Sequence, residues 1–390
     1  METRELTYDT VIAGCGVGGL FTAMHLPENQ KILMICKEDL ESCDSMLAQG
    51  GICVMRSDDD YDEYFEDTMR AGHYENRKES VDIMLRSSRD VIRQLVECGV
   101  DFARNPDGSL AYTREGAHTH PRICYHEDIT GKEITTKLLR KVQAMKNVTI
   151  MEYTTMTDII EENGVCKGMI AVTRAGEKLI IHAKDTVMAT GGIGGNYKHS
   201  TNFRCLTGDA LEISKKHNVE LEHLDYVQIH PTVLYSEVPG RRFLISESCR
   251  GEGAILLNNK GERFVNELLP RDVVTQAIRE EMKKEGTKHV WLSFAPIPEK
   301  EIREHFPNIL ATCRDAGYDI TKEPIPVVPA QHYFMGGVHV DKNSQTTMEH
   351  LYAVGETSCN GVHGKNRLAS NSLLESLVFG ERAAKHIAEA

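Results

Sequence analysis

The sequence is short of the features that mark several protein classes. Nowhere do apolar residues run for the roughly 20 positions that crossing a bilayer requires. The opening METRELTYD has neither the basic start nor the apolar core of a signal peptide. Both absences point to a soluble, cytoplasmic chain. Positive charge is in deficit: 45 Lys and Arg against 58 Asp and Glu leave a formal net charge of −13. That balance argues against nucleic acid or a membrane as the main partner, while leaving room for a basic pocket. Eleven cysteines are an odd number for a disulfide framework, and no two stand at CxxC spacing. Zinc-ribbon and iron–sulfur sites are therefore not indicated, and reduced thiols are the expectation. There is no internal repeat, low-complexity tract or long linker. With 41% hydrophobic and 26% charged residues over 390 positions, the chain can bury a substantial core in two or three domains.

Against these absences stand the glycines of residues 9–26, DTVIAGCGVGGLFTAMHL. The apolar run Thr10 to Ala13 reads as a buried parallel strand that passes into Gly14, Gly16 and Gly19 before a helical pattern begins at Leu20. Gly14 allows the tight strand-to-helix turn, Gly16 lets a pyrophosphate approach the backbone, and Gly19 lets the helix pack closely on the strand. The phosphates would sit at a helix N-terminus, where free N–H groups and the dipole favour anions.

Further along, KILMICK (31–37) supplies a second strand. It ends in Cys36 and Lys37 where a dinucleotide fold commonly has Asp or Glu; Glu38 or Asp39 substitutes only in part. In SMLAQGGI (45–52), Gln49-Gly50-Gly51 suits close backbone contact with a flat ligand. Apolar spacing predicts a helix from Ser80 to Cys98 with Gly99 as its C-terminal glycine. Thr130 and Glu133 form a capping-box pattern that opens another helix. Short strands follow from about Val148 to Ile181, with turns at Asn163-Gly164 and Ala175-Gly176. DTVMATGGIGG (185–195) then feeds a second glycine cluster. From about His223 to Tyr333 the strand–glycine–helix grammar stops, and it returns at HLYAVGE (350–356) and a final helix after Asn366. The expected architecture is α/β: a Rossmann-like cofactor domain in two parts, 1–223 and 334–390, interrupted by an α+β capping domain over 224–333.

The ordered motifs resemble the fumarate reductase and succinate dehydrogenase flavoprotein superfamily and, within it, the branch that acts on L-aspartate. They are GCGVGG (14–19), LAQGGI (47–52), TREGAHTH (113–120), ATGG (189–192), TGDA (207–210), QIHPT (228–232), SESCRGEGA (246–254), LPRDVV (269–274), PAQHYFMGGV (329–338), GE (355–356) and NRLASNSLLE (366–375). They span essentially the whole chain. The resemblance implies FAD held between the dinucleotide fold and the cap. Its contacts would come from Gly14, Cys15, Gly16, Val17, Gly18, Gly19, Lys37, Asp44, Ser45, Ala48, Gln49, Gly50, Gly51, Asp209, Glu356, Asn371, Ser372 and Leu373. The FAD would be non-covalent, because no histidine stands near Ser45 to attach it.

A C4 dicarboxylate needs charge-assisted hydrogen bonds from Arg, His or hydroxyls at each end. By family position these come from Gln228, His230, Thr232, Ser246, His332 and Arg367, with Arg271 as the catalytic arginine and Glu115 as the carboxylate that holds an α-ammonium. Arginine is a poor general base, so orientation and charge stabilisation are the roles expected of Arg271. The implied reaction is oxidation of L-aspartate to iminoaspartate, with oxygen or fumarate as electron acceptor. It is the first step of bacterial NAD synthesis from aspartate, functionally coupled to quinolinate synthase. The competing readings are a soluble fumarate reductase or succinate dehydrogenase-type flavoprotein, and a non-catalytic flavin-binding module. His118, His120 and His126 lack the further ligands of a metal site, and none is expected. Two departures stand out: the family usually continues into a C-terminal helical bundle where this chain ends at Ala390, and the loop from Arg263 to Pro270 is short.

Overall fold

The computed structural model describes residues 3–389. Its centre is a seven-stranded sheet. The first strand, Thr3–Ala13, lies between Ile32–Ile35 and Lys178–Met188, parallel to both; Ile32–Ile35 in turn pairs in parallel with Val148–Met151. Strand Lys178–Met188 divides its other edge. Its N-terminal half takes the antiparallel Val165–Thr173, and its C-terminal half takes the parallel Leu351–Ala353. Leu351–Ala353 thus brings the C-terminal part of the chain into the same sheet as the first strand.

The first strand is longer than the apolar run Thr10 to Ala13 indicates. Its outer half alternates exposed and half-buried residues, and only the last four positions are buried on both faces. The unbroken apolar signature marks that second part alone. The hairpin at Asn163-Gly164 has both residues at positive φ, 53° and 80°, as a two-residue turn between twisted strands needs. The long helix is Lys78–Glu97; Gly99 takes φ 86°, and the amides of Gly99 and Val100 close back on Val96 and Leu95. This is a Schellman ending.

The capping box is a correction. Helix Thr130–Gln143 starts with Thr130 already inside its first turn and has no side-chain cap. The Thr130 hydroxyl accepts the His126 amide, and the Glu133 carboxylate accepts the Asp101 amide. Gly131 abuts the loop at Ser45 and Ala48, with a Cβ placed 2.1 Å from the Ser45 carbonyl oxygen. Tertiary contact has replaced the local cap.

One face of the sheet is covered by the helices Val17–His25, Lys78–Glu97, Thr130–Gln143 and Asn371–Glu389, which share a core containing Phe21, Leu95, Leu138 and Phe379. The other face packs a second core that includes Leu33, Ile181, Ile213 and Leu351. A separate four-stranded antiparallel sheet runs in the order Val227–Leu234, Ile325–Phe334, Val290–Ser293, Ile255–Leu257. Helices Arg271–Glu285, Glu299–His305 and Pro307–Asp315 accompany it, and its apolar cluster extends from Leu234 to Val327. A small sheet of Leu221–Glu222, Gly337–His339 and Ser358–Cys359 lies where the chain leaves for that layer and comes back. Among the described residues no helix is long and apolar enough to cross a membrane.

Candidate active site

A cleft with an empty volume of about 2070 Å³, solvent at its mouth included, separates the glycine-bearing ends of the large sheet from the four-stranded sheet. At one end its wall is main chain. Gly14 has φ 120°, and a Cβ there would stand 1.9 Å from the Ala189 carbonyl oxygen, so the ATGG loop passes directly over the turn. A Cβ on Gly19 would stand 2.2 Å from the Gly14 carbonyl oxygen. Gly16 lines the cleft instead, its nearest neighbour being the Ser45 hydroxyl, which accepts the Val17 amide at 3.1 Å. Cys15, Val17, Gly18, Ala48, Gln49, Gly51, Ser372 and Leu373 complete this wall.

The acid missing after the second strand arrives from far along the chain. Lys37 is paired with Asp209 at 2.9 Å, and both line the cleft. Glu356 accepts the Phe334 amide at 2.9 Å; burial, then the nearby charge of Asp44, pushes its pKa up to about 8. Asp44 accepts the Phe203 amide through Oδ1, and burial pushes its pKa up to about 7. Asp44 Oδ2 and Gln49 Oε1 have no partner among the described residues. A turn open at Gly16 to phosphate, a helix N-terminus, and unpartnered acceptors for hydroxyl and ring N–H donors together fit FAD.

The opposite end is made of charge. Arg271 Nε meets Glu247 Oε2 at 2.5 Å, and Arg250 Nη2 approaches the same oxygen at 3.4 Å. This Arg–Glu–Arg row is 6%, 2% and 2% exposed. Burial alone would raise the Glu247 pKa, but Arg271 and Arg250 outweigh it and leave it below its ordinary value. Arg367 is different. Its guanidinium lies 4.4 Å over the Tyr333 ring and donates to Ser372 Oγ at 3.0 Å, and among the described residues no carboxylate lies within ion-pair distance of it. Burial, then repulsion from Arg271, lowers its pKa to about 10. His230 and His332 stand edge to face at 5.1 Å, both held neutral by burial and by Arg271. Because His230 Nδ1 accepts the Thr232 amide, its proton lies on Nε2, which has no partner and is available to a ligand.

Glu115 brings the two ends together. Its Oε1 accepts Ser248 Oγ at 2.8 Å, its Oε2 accepts Ser370 Oγ at 2.6 Å, and a Cβ on Gly50 would stand 2.1 Å from Oε1. Burial, then the charge of Glu247, raises its pKa. One cleft therefore holds two guanidiniums that repel each other, two neutral imidazoles and an opposing carboxylate, an arrangement suited to a small dianion that also carries a cation.

Three residues expected as contacts stand outside the lining of the cleft. Gln228 stands behind the wall, where its Oε1 accepts Arg271 and its amide donates to Asn366 and the Arg367 carbonyl. The Thr232 hydroxyl turns away to the Ile245 carbonyl, and the Asn371 side chain lies in the core against Tyr64 and Thr68. Gln228 supports Arg271, and the Thr232 amide supports His230. Glu247, Tyr333 and Ser370 line the cleft without having been singled out. Glu247 and Arg250 were legible only as an i,i+3 pair inside SESCRGEGA. The three histidines of 118–126 diverge: His118 to the Ala369 carbonyl, His120 to Glu63, His126 to the Asp101 carbonyl. Among the described residues no cluster of three or more metal-ligating side chains forms.

Residues 9–373 match the FAD binding domain family. The chain is 50% identical over 380 residues to an L-aspartate oxidase of Clostridium perfringens, covering 97% of this chain and 86% of that one. It is 47% identical to an L-aspartate oxidase of Clostridium acetobutylicum, covering 97% and 87%. Among solved structures, a point-mutated E. coli quinol fumarate reductase FrdA superposes with a TM-score of 0.91 at 32% identity, covering 100% of this chain and 71% of that one. Mycobacterium smegmatis Sdh1 superposes with a TM-score of 0.82 at 30% identity, covering 100% and 69%.

Proposed function

Because the chain belongs to the L-aspartate oxidase family of FAD-binding flavoproteins, we propose that this cleft oxidises L-aspartate to iminoaspartate. The observation that carries the substrate reading is the buried Arg271–Arg367 pair, the second without a carboxylate partner among the described residues, lining one cavity with Glu115. Arg367 and the neutral imidazoles of His230 and His332 hold the two carboxylates; Glu115 holds the ammonium. Arg271, fixed by Glu247 and Gln228, supplies charge beside the reacting carbon at no cost in reorganisation. With its raised pKa, Glu115 is suited to take a proton from the ammonium. The glycine turn at 14–19, Lys37, Asp44, Gln49 and Glu356 hold FAD without a covalent bond. Bound FAD supplies a two-electron acceptor for the hydride that leaves Cα, and oxygen or fumarate takes those electrons on.

The layer over 224–333 serves as a cap that excludes water, held to the rest by Thr113 with Glu252 and by Asp128, which accepts the amides of Asn308 and Ile309 at the start of a cap helix. The finer setting we infer is cytoplasmic, as the first step of NAD synthesis from aspartate, with iminoaspartate taken up by a quinolinate synthase.

The test is anaerobic mixing of the FAD-loaded protein with L-aspartate or succinate, followed by air. Aspartate should bleach the flavin and air should restore it with peroxide. Bleaching by succinate alone would establish the succinate dehydrogenase-type reading, and bleaching by neither would leave a binding module. Acid precipitation should leave the flavin in the supernatant.

A further inference from the structure

The hydroxyls around Glu115 have a direction that follows from counting protons. An ionised carboxylate can only accept. Ser248 therefore spends its one hydroxyl proton on Glu115 Oε1 at 2.8 Å, and Ser370 spends its own on Oε2 at 2.6 Å. In the 3.1 Å contact between Ser246 Oγ and Ser248 Oγ, the proton must then come from Ser246. Ser246 Oγ also accepts the Ser248 amide at 3.2 Å as the N-cap of helix Glu247–Gly251. Ser246 and Ser370 both line the cleft, whereas Ser248 does not. What the two wall serines have left for a ligand is lone pairs, which suit an ammonium and repel a carboxylate. A proton on Glu115 reverses the order: Glu115 donates to Ser248, Ser248 to Ser246, and the Ser246 proton turns to the cleft, where it suits a carboxylate.

We propose that Ser248 is a positioning residue that passes the charge state of Glu115 to Ser246, so that the site accepts an amino acid when Glu115 is ionised and a plain C4 dicarboxylate when it is protonated. This rests on Glu115 being the partner of the substrate ammonium. The charged and titratable groups facing Glu115 are Glu247, Arg271, Arg250, Arg367 and Cys53, with His118 against the Cys53 thiol. Arg271 and Arg250 share Glu247, so the ionisation of Glu115 changes the net charge of the group and cannot be masked by rearrangement of that row.

The experiment compares the FAD-loaded wild type with Ser248→Ala and Ser248→Thr from pH 4.5, the ordinary carboxylate value above which Glu115 is raised, to pH 9. It measures KM and kcat for L-aspartate and Ki for succinate, with FAD affinity as a control. In the wild type the aspartate KM should fall and the succinate Ki should rise as Glu115 ionises. Ser248→Ala frees the Ser246 proton. The aspartate KM should rise about fivefold to tenfold, the scale of one hydrogen bond, with kcat within about twofold, while the pH dependence of the succinate Ki weakens to what the Glu115 charge alone imposes; Ser248→Thr should restore both. Equal shifts for the two ligands, or none, would overturn the relay. If Ser248→Ala does not retain FAD, Ser248→Cys, with its weak S–H donor, replaces it under the same criteria. Glu115→Gln separates the two ideas. An unchanged aspartate KM in Glu115→Gln removes the ammonium reading and the relay together, whereas a raised KM there with an unaffected Ser248→Ala removes the relay alone.

Discussion

The two ends of the cleft are built from different material. Around residues 14–19 and 49–51 the wall is backbone, and Gly14 and Gly50 leave no space for a Cβ beside the Ala189 carbonyl and the Glu115 carboxylate. Around Arg271 the wall is ionised side chains withdrawn from water and tied to one another. A main-chain site fixes a ligand by shape and by N–H groups that never change charge. A side-chain site can shift charge during a reaction, and its construction is costly, since each buried ion needs a partner. The division of labour follows: one end holds, the other end reacts. Substitutions at the reacting end should then abolish turnover with FAD in place, and substitutions at the holding end should lose FAD.

The sharpest way to break this contrast is Arg271→Leu. Removing a preorganised cation beside the reacting carbon should lower kcat by about 10² to 10³, for aspartate oxidation and for fumarate reduction alike. FAD should stay bound, as titrated by flavin fluorescence. Loss of FAD in this variant would mean that the two ends are not separable.

Gly14→Ala tests the other end. An alanine would have to adopt φ 120° with its Cβ 1.9 Å from a backbone carbonyl that cannot rotate away. Positive-φ strain costs about 1–3 kcal/mol, and the strand end must also shift. FAD affinity should fall roughly hundredfold or the folded protein should not be recovered. Normal flavin content after gel filtration would refute the role given to this turn.

The contrast also decides what the sequence could reveal. The glycine turn, the helix ending at Gly99 and the Asn163-Gly164 hairpin were legible because backbone conformation imposes residue type within a few positions. The Thr130–Glu133 capping box had the right letters, yet Thr130 and Glu133 bond elsewhere because Gly131 is pressed against the loop at Ser45. The reacting end is assembled over long separations. Glu115 meets Ser248 and Ser370, which lie 133 and 255 positions away. No local pattern encodes such contacts, and resemblance to a family was what singled out Arg271, Arg367 and Glu115. That route does not distinguish a wall residue from the one behind it, which is why Gln228, Thr232 and Asn371 were expected in the cleft while Glu247 and Ser370 were not.

Glu115→Gln sharpens the comparison because it removes charge and keeps shape. A charge-assisted hydrogen bond to an ammonium is worth about 1.5–3 kcal/mol, so kcat/KM for L-aspartate should fall roughly tenfold to hundredfold. Fumarate reduction by the chemically reduced enzyme should change little or improve, since fumarate has no ammonium. If both activities fell equally, Glu115 would be a general support of the site and the selector would lie elsewhere.

The smallest effect concerns the acids of the holding end. Burial raises Asp44 to about 7 and Glu356 to about 8, and it raises to about 7 a third acid outside the cleft lining, Glu375 of helix Asn371–Glu389, which accepts the Asn360 side-chain amide and the Ser376 hydroxyl. In the unfolded chain all three are ionised well below that range. Between the two ranges the folded state therefore binds more protons than the unfolded one. The stability these acids contribute is fully present below the unfolded pKa and is lost as pH rises through about 7 to 8. In that window the wild type, freed of flavin, should melt a few degrees lower at pH 9 than at pH 6. Asp44→Asn cannot ionise, so its melting temperature should fall less over the same window. The paired Glu247 predicts the opposite sign: its pKa is lowered, so its contribution is present at neutral pH and is lost only as pH falls below the ordinary carboxylate range. Melting curves of the flavin-free protein from pH 3 to 9 should thus show a maximum at about pH 5, just above the ordinary carboxylate range, with Asp44→Asn altering only the limb above it. A flat alkaline limb in the wild type would show that the buried acids of the holding end are ionised and paired, like those of the reacting end.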